Sequence, residues 1–266
     1  MLQYIDTHVH LYAEAFDSDR EAVVARALAA GVTHMFMPNI DEASIEPMLE
    51  VASMWPEYCV PMMGLHPCSV QQDYREALDR VYKWLGKQSF AAVGEIGLDL
   101  HWDDTWFAQQ KEAFALQVKW AMALDLPVVI HTRKTISHVL DILESIADAR
   151  LYGIMHCFTG SQEEAQRAID LGLKLGVGGV LTFKNSGLDR VLASVDVEHL
   201  VLETDAPWLA PTPWRGKRNE SSYLPLIARK LAEVQQLSID KIAARTTGNA
   251  REVFRKFFEL KSSVAQ

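Results

Sequence analysis

Tyr4-Ile5-Asp6-Thr7-His8-Val9-His10 runs from apolar residues into two histidines one position apart. On an extended chain, side chains at i and i+2 share a face, so both imidazoles can reach one cation. The ordinary alternative is a solvated edge on which polar residues alternate. The remainder of the chain decides between them, because a short apolar run and then a longer amphipathic stretch recur to its end. The apolar runs at 4–8, 33–38, 60–65, 91–96, 127–131, 153–156, 173–177 and 200–203 read as strands. Stretches at 19–30, 43–54, 74–85, 105–124 and 135–149 carry apolar residues at helical spacing, and two helices, 223–234 and 239–257, close the chain. Gly31 reads as a helix C-cap, and Ser161 with Glu164 as a capping box opening the helix after the sixth strand. Eight strands in 266 residues leave about 33 residues per unit. With no linker-like stretch, this predicts an α/β fold, a single-domain (β/α)8 TIM barrel over residues 1–266, with 207–213 as a long loop on the active side.

Composition narrows the function classes. Hydrophobic residues make up 49% and charged residues 23%, which excludes disordered and fibrous chains. The balance of 26 basic against 35 acidic residues, a net charge of −9, excludes a long basic groove along a duplex, so any nucleic-acid contact is local. No apolar run is long enough to span a bilayer, and the N-terminus lacks a secretory leader pattern, which places the chain in the cytoplasm without a membrane partner. Cys59, Cys68 and Cys157, with no CxxC spacing, argue against a disulfide framework or a thiolate zinc site and leave nitrogen and oxygen as ligands.

The polar residues that stand out fall at predicted strand ends, the face on which barrels build their sites. His8 and His10 end the first strand, His66 the third, Glu95 the fourth, His131 the fifth, His156 the sixth and Asp205 the eighth. Glu95 interrupts Val93-Gly94-Glu95-Ile96-Gly97-Leu98-Asp99; the alternative is an ion-paired barrel carboxylate, but a buried charge needs a partner and a shared cation supplies one. His131 and His156 singly read equally well as hydrogen-bonded core histidines, and Asp205 as a turn cap before Pro207. Together, four histidines and two carboxylates exceed one tetrahedral structural site and suit two divalent ions, Mg, Mn or Zn. Two-metal sites hold their ions about 3.5–4 Å apart and activate water, which implies hydrolysis.

Weaker candidates surround this set. Arg133 suits a bidentate phosphate contact, and Arg215, Lys217 and Arg218 form a local anion site, unless that loop is simply solvated. His101 and Trp102 come closely enough after Glu95 to line the mouth. Cys157 is expected to point away from His156 and is no nucleophile, and His34, His138 and His199 read as core or surface residues.

The same motifs resemble those of the TatD-related deoxyribonucleases of the metal-dependent hydrolase superfamily. The resemblance spans Ile5-Asp6-Thr7-His8-Val9-His10, Gly64-Leu65-His66-Pro67, Gly94-Glu95-Ile96-Gly97-Leu98-Asp99, Ile130-His131-Thr132-Arg133, His156-Cys157-Phe158-Thr159-Gly160, Leu202-Glu203-Thr204-Asp205-Ala206-Pro207 and Arg215-Gly216-Lys217-Arg218-Asn219-Glu220. It implies a (β/α)8 barrel with His8, His10 and Asp205 on one ion, His131 and His156 on the other, and Glu95 bridging. Glu95 stands where several superfamily branches use a carboxylated lysine. Leu100-His101-Trp102 and Lys134 depart from the family pattern near the mouth.

The leading reading is a divalent-metal-dependent phosphodiesterase, an exonuclease on single-stranded DNA or damaged DNA ends using a metal-activated water. Asp205 would orient or deprotonate the water, His66 would contact the phosphate or help the leaving oxygen, and Arg133 with Arg215, Lys217 and Arg218 would hold phosphates. No obligate protein partner is implied. The rivals are a binuclear hydrolase of a small ester, lactone or amide, and a metal-stabilised binding protein without catalysis.

Overall fold

Strands form where the apolar runs lie, and all of them pair in parallel. The computed structural model describes residues 2–146 and 148–264, within which the strands are β1 (Tyr4–Asp6), β2 (Val32–Pro38), β3 (Cys59–Met62), β4 (Val93–Asp99), β5 (Val128–Arg133), β6 (Gly153–Met155), β7 (Leu173–Val177) and β8 (Leu200–Leu202). Strands β1 to β3 form one continuous ladder and β4 to β8 another. The two seams are closed by the parallel bridges Met63 to Val93 and Val9 to Ala206. Gly94 N donates to Met63 O at 3.0 Å, and Thr7 N donates to Leu202 O at 3.1 Å. The sheet therefore returns on itself as an eight-stranded barrel, as the repeat length predicts.

Around it lie α1 (Arg20–Ala29), α2 (Glu42–Met54), α3 (Tyr74–Leu85), α4 (Phe107–Leu124), α5 (Ile136–Ile146), α6 (Gln162–Asp170), α7 (Leu188–Leu192), α8 (Leu224–Gln235), α9 (Ile239–Val253) and α10 (Arg255–Val264). Residue 147 of the expected 135–149 helix lies outside the described residues, as do residues 1, 265 and 266 of the chain. The Ser161 and Glu164 capping box forms, each side chain accepting from the other's backbone N–H. Gly31 follows the C-cap Ala30 with φ +90°, where a Cβ would meet Leu2 O at 2.2 Å.

Alternation along the strands divides the core in two. Ile5, Phe36, Val60, Val129, Ile154 and Val201 fill the barrel, while their neighbours Tyr4, Met35, Val128, Met155 and Leu200 pack with the helix layer. The expected single helix 239–257 breaks at Phe254, a correction with a clear cause. Phe254 is fully buried and stacks on Phe36 at 3.7 Å between ring centroids, plugging the barrel floor. Burying that ring outweighs the continuous helical pattern, so the chain turns between α9 and α10. Phe254 thus puts an apolar ring at the barrel floor, and the histidines and carboxylates of the candidate site lie at the other end. Among the described residues no helix is long and apolar enough to cross a membrane.

Candidate metal centre

Several expected strand-end residues sit elsewhere on their strands. Glu95 lies inside β4 rather than at its end, where the register against β5 shifts between Gly94 and Ile96. Such an irregularity re-aims a side chain, and here it turns a carboxylate into the barrel mouth. His131 also lies within its strand, whereas His8, His10, His66, His156 and Asp205 come after theirs. Gly97 pairs with His131 and has φ +146°; a Cβ there would fall 2.0 Å from His131 O.

Glu95 is the hub. Its Oε2 lies 3.2 Å from His8 Nε2 and 3.7 Å from His10 Nε2. Its Oε1 lies 2.9 Å from His131 Nδ1, 3.6 Å from His66 Nε2 and 3.9 Å from His156 Nε2. Asp205, in a left-handed turn at φ 56°, brings Oδ1 to 3.6 Å from His10 Nε2, 3.8 Å from His156 Nε2 and 3.9 Å from His8 Nε2. Its side chain therefore faces the histidines rather than capping the turn before Pro207. Burial alone would raise the Glu95 carboxyl, but the surrounding His8, His66 and His131 outweigh it and hold the group well below the usual carboxylate range.

A second layer fixes the rings. Tyr12 Oη donates to Pro38 O at 2.6 Å, so it accepts from His10 Nδ1 at 2.9 Å, which leaves His10 Nε2 with a lone pair facing the carboxylates. Asp99 Oδ2 lies 2.9 Å from His131 Nε2. Burial disfavours a charge on His131, yet its hydrogen bonds to Asp99 and Glu95 prevail and raise it to about 8. Glu203 Oε1 accepts from Cys157 N at 2.6 Å and lies 3.0 Å from His156 Nδ1. Burial opposes protonation of His156 as well, but Glu203 and Asp205 outweigh it and raise the group to about 10. Beneath them, fully buried Asp6 accepts from Thr204 N, Thr204 Oγ1 and Ser221 Oγ at 2.9, 2.6 and 2.7 Å, tying the end of β1 to that of β8; burial pushes its carboxyl up to about 7.

His66 differs from the other histidines. Its Nδ1 accepts from Cys68 N at 3.1 Å, so in the neutral ring the proton sits on Nε2, and burial lowers its pKa to about 3. A neutral ring in this tautomer presents Nε2–H to the mouth as a hydrogen-bond donor.

The donor set suits divalent ions. The groups His8–His10–Glu95, His8–His156–Asp205 and His66–Glu95–His131 each bring their donor atoms within 4.8 Å of one another. Buried, imidazole-rich and carboxylate-bearing, they match the ligand chemistry of Zn²⁺ and Mn²⁺, and Glu203 Oε2 is a buried oxygen without a hydrogen-bond partner. His131 falls with His66 and Glu95, and His156 with His8 and Asp205, while Glu95 Oε1 faces both His131 and His156 and its Oε2 faces His8 and His10.

Asp6, Tyr12, Asp99 and Glu203 were not singled out by sequence reasoning. Spacing could have found three of them, since Tyr12 is two residues beyond His10, Glu203 two before Asp205, and Asp99 four beyond Glu95 on an alternating strand. Cys157 does not point away as expected. At φ 46° its Sγ comes within 4.8 Å of donor atoms of both His156 and Glu203, and burial holds its thiol well above the usual value, which agrees with no nucleophilic role.

Of the four cations, three are exposed. Arg133 lies with its guanidinium 5.3 Å from the Trp102 ring, Arg215 lies 4.4 Å over Phe183, and Lys217 is at the loop tip. Arg218 departs from the expectation of a phosphate contact. It forms a two-pronged pair with Asp19 at 2.7 and 2.8 Å, donates to Ala15 O and covers the Phe16 ring, so its donors pin the loop to the start of α1.

Comparison with known proteins identifies the family. Residues 5–255 match the family model described as TatD related DNase. An uncharacterized metal-dependent hydrolase, YabD, from Bacillus subtilis is 37% identical over 94% of this chain and 98% of its own length. A protein named 3'-5' ssDNA/RNA exonuclease TatD from a Pantoea species is 32% identical over 94% of this chain and 98% of its own. The crystal structure of YJJV, a TatD homologue from Escherichia coli, superposes with a TM-score of 0.89 at 32% identity, covering 95% of this chain and 98% of that one.

Proposed function

The chain belongs to the TatD-related DNase family of metal-dependent hydrolases, and we propose that it removes nucleotides from the ends of single-stranded DNA or RNA by phosphodiester hydrolysis. The observation that carries this reading is Glu95, whose two oxygens face five histidines at the mouth of the barrel. Two divalent ions would be held there by Glu95, with His8, His10 and Asp205 for one and His131 and His156 for the other. Such ions polarise a phosphoryl oxygen and make water nucleophilic near neutral pH.

The protein's own groups do the rest. Asp205, held below the usual carboxylate range by the histidines despite its burial, is ionised and accepts the proton of the attacking water. His66 Nε2–H donates to the phosphate or its leaving oxygen. Arg133, Arg215 and Lys217 hold neighbouring phosphates, so a short local grip replaces the basic groove that a net charge of −9 rules out. The relative's name suggests attack from the 3' end. The chain works as one barrel domain over residues 1–266, and its three free thiols suit the cytoplasm.

The test is hydrolysis of end-labelled single-stranded DNA and RNA with Mg²⁺ or Mn²⁺, alongside a chelator control. A ladder shortening from one end, absent with chelator, is expected. An intact oligonucleotide with metal-loaded protein would overturn the nuclease reading, and turnover of small esters, lactones or amides instead would replace it.

A further inference from the structure

Trp102 is the most exposed large apolar side chain among the described residues, at 74% of its surface. It borders a cavity of about 140 Å³ whose walls include Pro67, Asp99, Asp103 and Trp106. The cavity adjoins the metal centre on two sides, since Pro67 is next to His66 in the chain and Asp99 holds His131. Arg133, with its guanidinium 5.3 Å from the indole, is not part of the wall.

The chemistry of the wall selects its occupant. Two carboxylates, Asp99 and Asp103, turn an anion away, so a phosphate does not enter. Two indoles and a proline ring offer flat apolar surface to a neutral, planar group. On the nuclease reading, on which this inference rests, a nucleobase is that group, while the cation outside the wall serves the adjoining phosphate. We propose that Trp102 and this cavity form a stacking subsite for the base of a nucleotide next to the scissile phosphodiester. Stacking on an indole tolerates any base, which suits an enzyme that digests whatever end it meets.

The experiment compares wild type, Trp102→Phe and Trp102→Ala on oligonucleotides with a complete end and on matched ones carrying an abasic nucleotide at each position flanking the first scissile bond. Wild type is expected to lose about 5- to 150-fold in kcat/KM at one abasic position, the range that loss of one base stack gives. Trp102→Ala is expected to lose a similar factor on the complete end and to become indifferent to the abasic position, whereas Trp102→Phe keeps most of both. Circular dichroism of both variants checks the fold. Base discrimination undiminished in Trp102→Ala would overturn the subsite while leaving the nuclease intact. A metal-loaded wild type inert on every oligonucleotide would remove the nuclease reading and the subsite with it.

Discussion

His131 Nε2 lies 2.9 Å from Oδ2 of Asp99, a carboxylate from the neighbouring strand that is itself 2% exposed. The pair orients the ring whose other nitrogen meets Glu95. Asp99→Asn should therefore lower the His131 pKa from its raised value of about 8 and weaken divalent-ion affinity by about 10- to 100-fold. NMR titration of the histidines and calorimetry with Mn²⁺ or Zn²⁺ check both; an unchanged affinity would mean that Asp99 serves packing alone.

Glu95→Ala should abolish turnover, by about 10³-fold or more, with the barrel intact, because one side chain faces all five histidines. Its metal stoichiometry should fall as well. Rates are compared at matched circular dichroism, and retained activity would sink the bridging assignment.

Chelation should lower thermal stability as well as activity. Ions at about 100 times their dissociation constant add about 2.7 kcal/mol, which is several degrees of Tm in a chain of this size. Calorimetry with and without chelator, then with Mg²⁺, Mn²⁺ or Zn²⁺ restored, reads the effect for each metal. A chelator-insensitive Tm would argue against tightly held ions.

Arg218 and Arg133 should separate. Arg218→Ala releases the loop from Asp19 and is expected to lower Tm with little change in the salt dependence of oligonucleotide binding. Arg133→Ala should keep Tm, raise KM and reduce the slope of log affinity against log salt by about 1. The reverse outcome would make Arg218 the phosphate contact after all.

His34 sits between strand and C-terminal helix, its ring edge-on to Phe257 and Phe258. Burial, with Lys261 and Arg251 nearby, lowers its pKa to about 4. Folding then favours the neutral ring, so the contribution is complete above the ordinary histidine value of 6.5 and is lost as pH falls from there toward about 4. Urea unfolding of wild type and His34→Gln across that window should show a shallower pH dependence in the variant. Parallel curves would assign the acid sensitivity to other histidines.

The eight strands, most of the helices and the metal-binding residue types were legible in the chain itself, because apolar periodicity and caps are local signals: the helix at 74–85 matches α3, and Ser161 caps α6. So were His8, His10, Glu95, His131, His156 and Asp205 as one set, since each interrupts or closely follows an apolar run. The chain alone could not decide how these residues face one another. Which histidine pairs with which carboxylate depends on the register shift at Glu95 and on the two bridges that close the barrel, one of which, Val9 to Ala206, spans nearly two hundred residues. The break at Phe254, the tautomer of His66 and the capture of Arg218 by Asp19 come from contacts between segments distant in sequence or from backbone turns that residue type does not reveal. Periodicity records which face of an element is buried; only the closed barrel sets which buried groups meet.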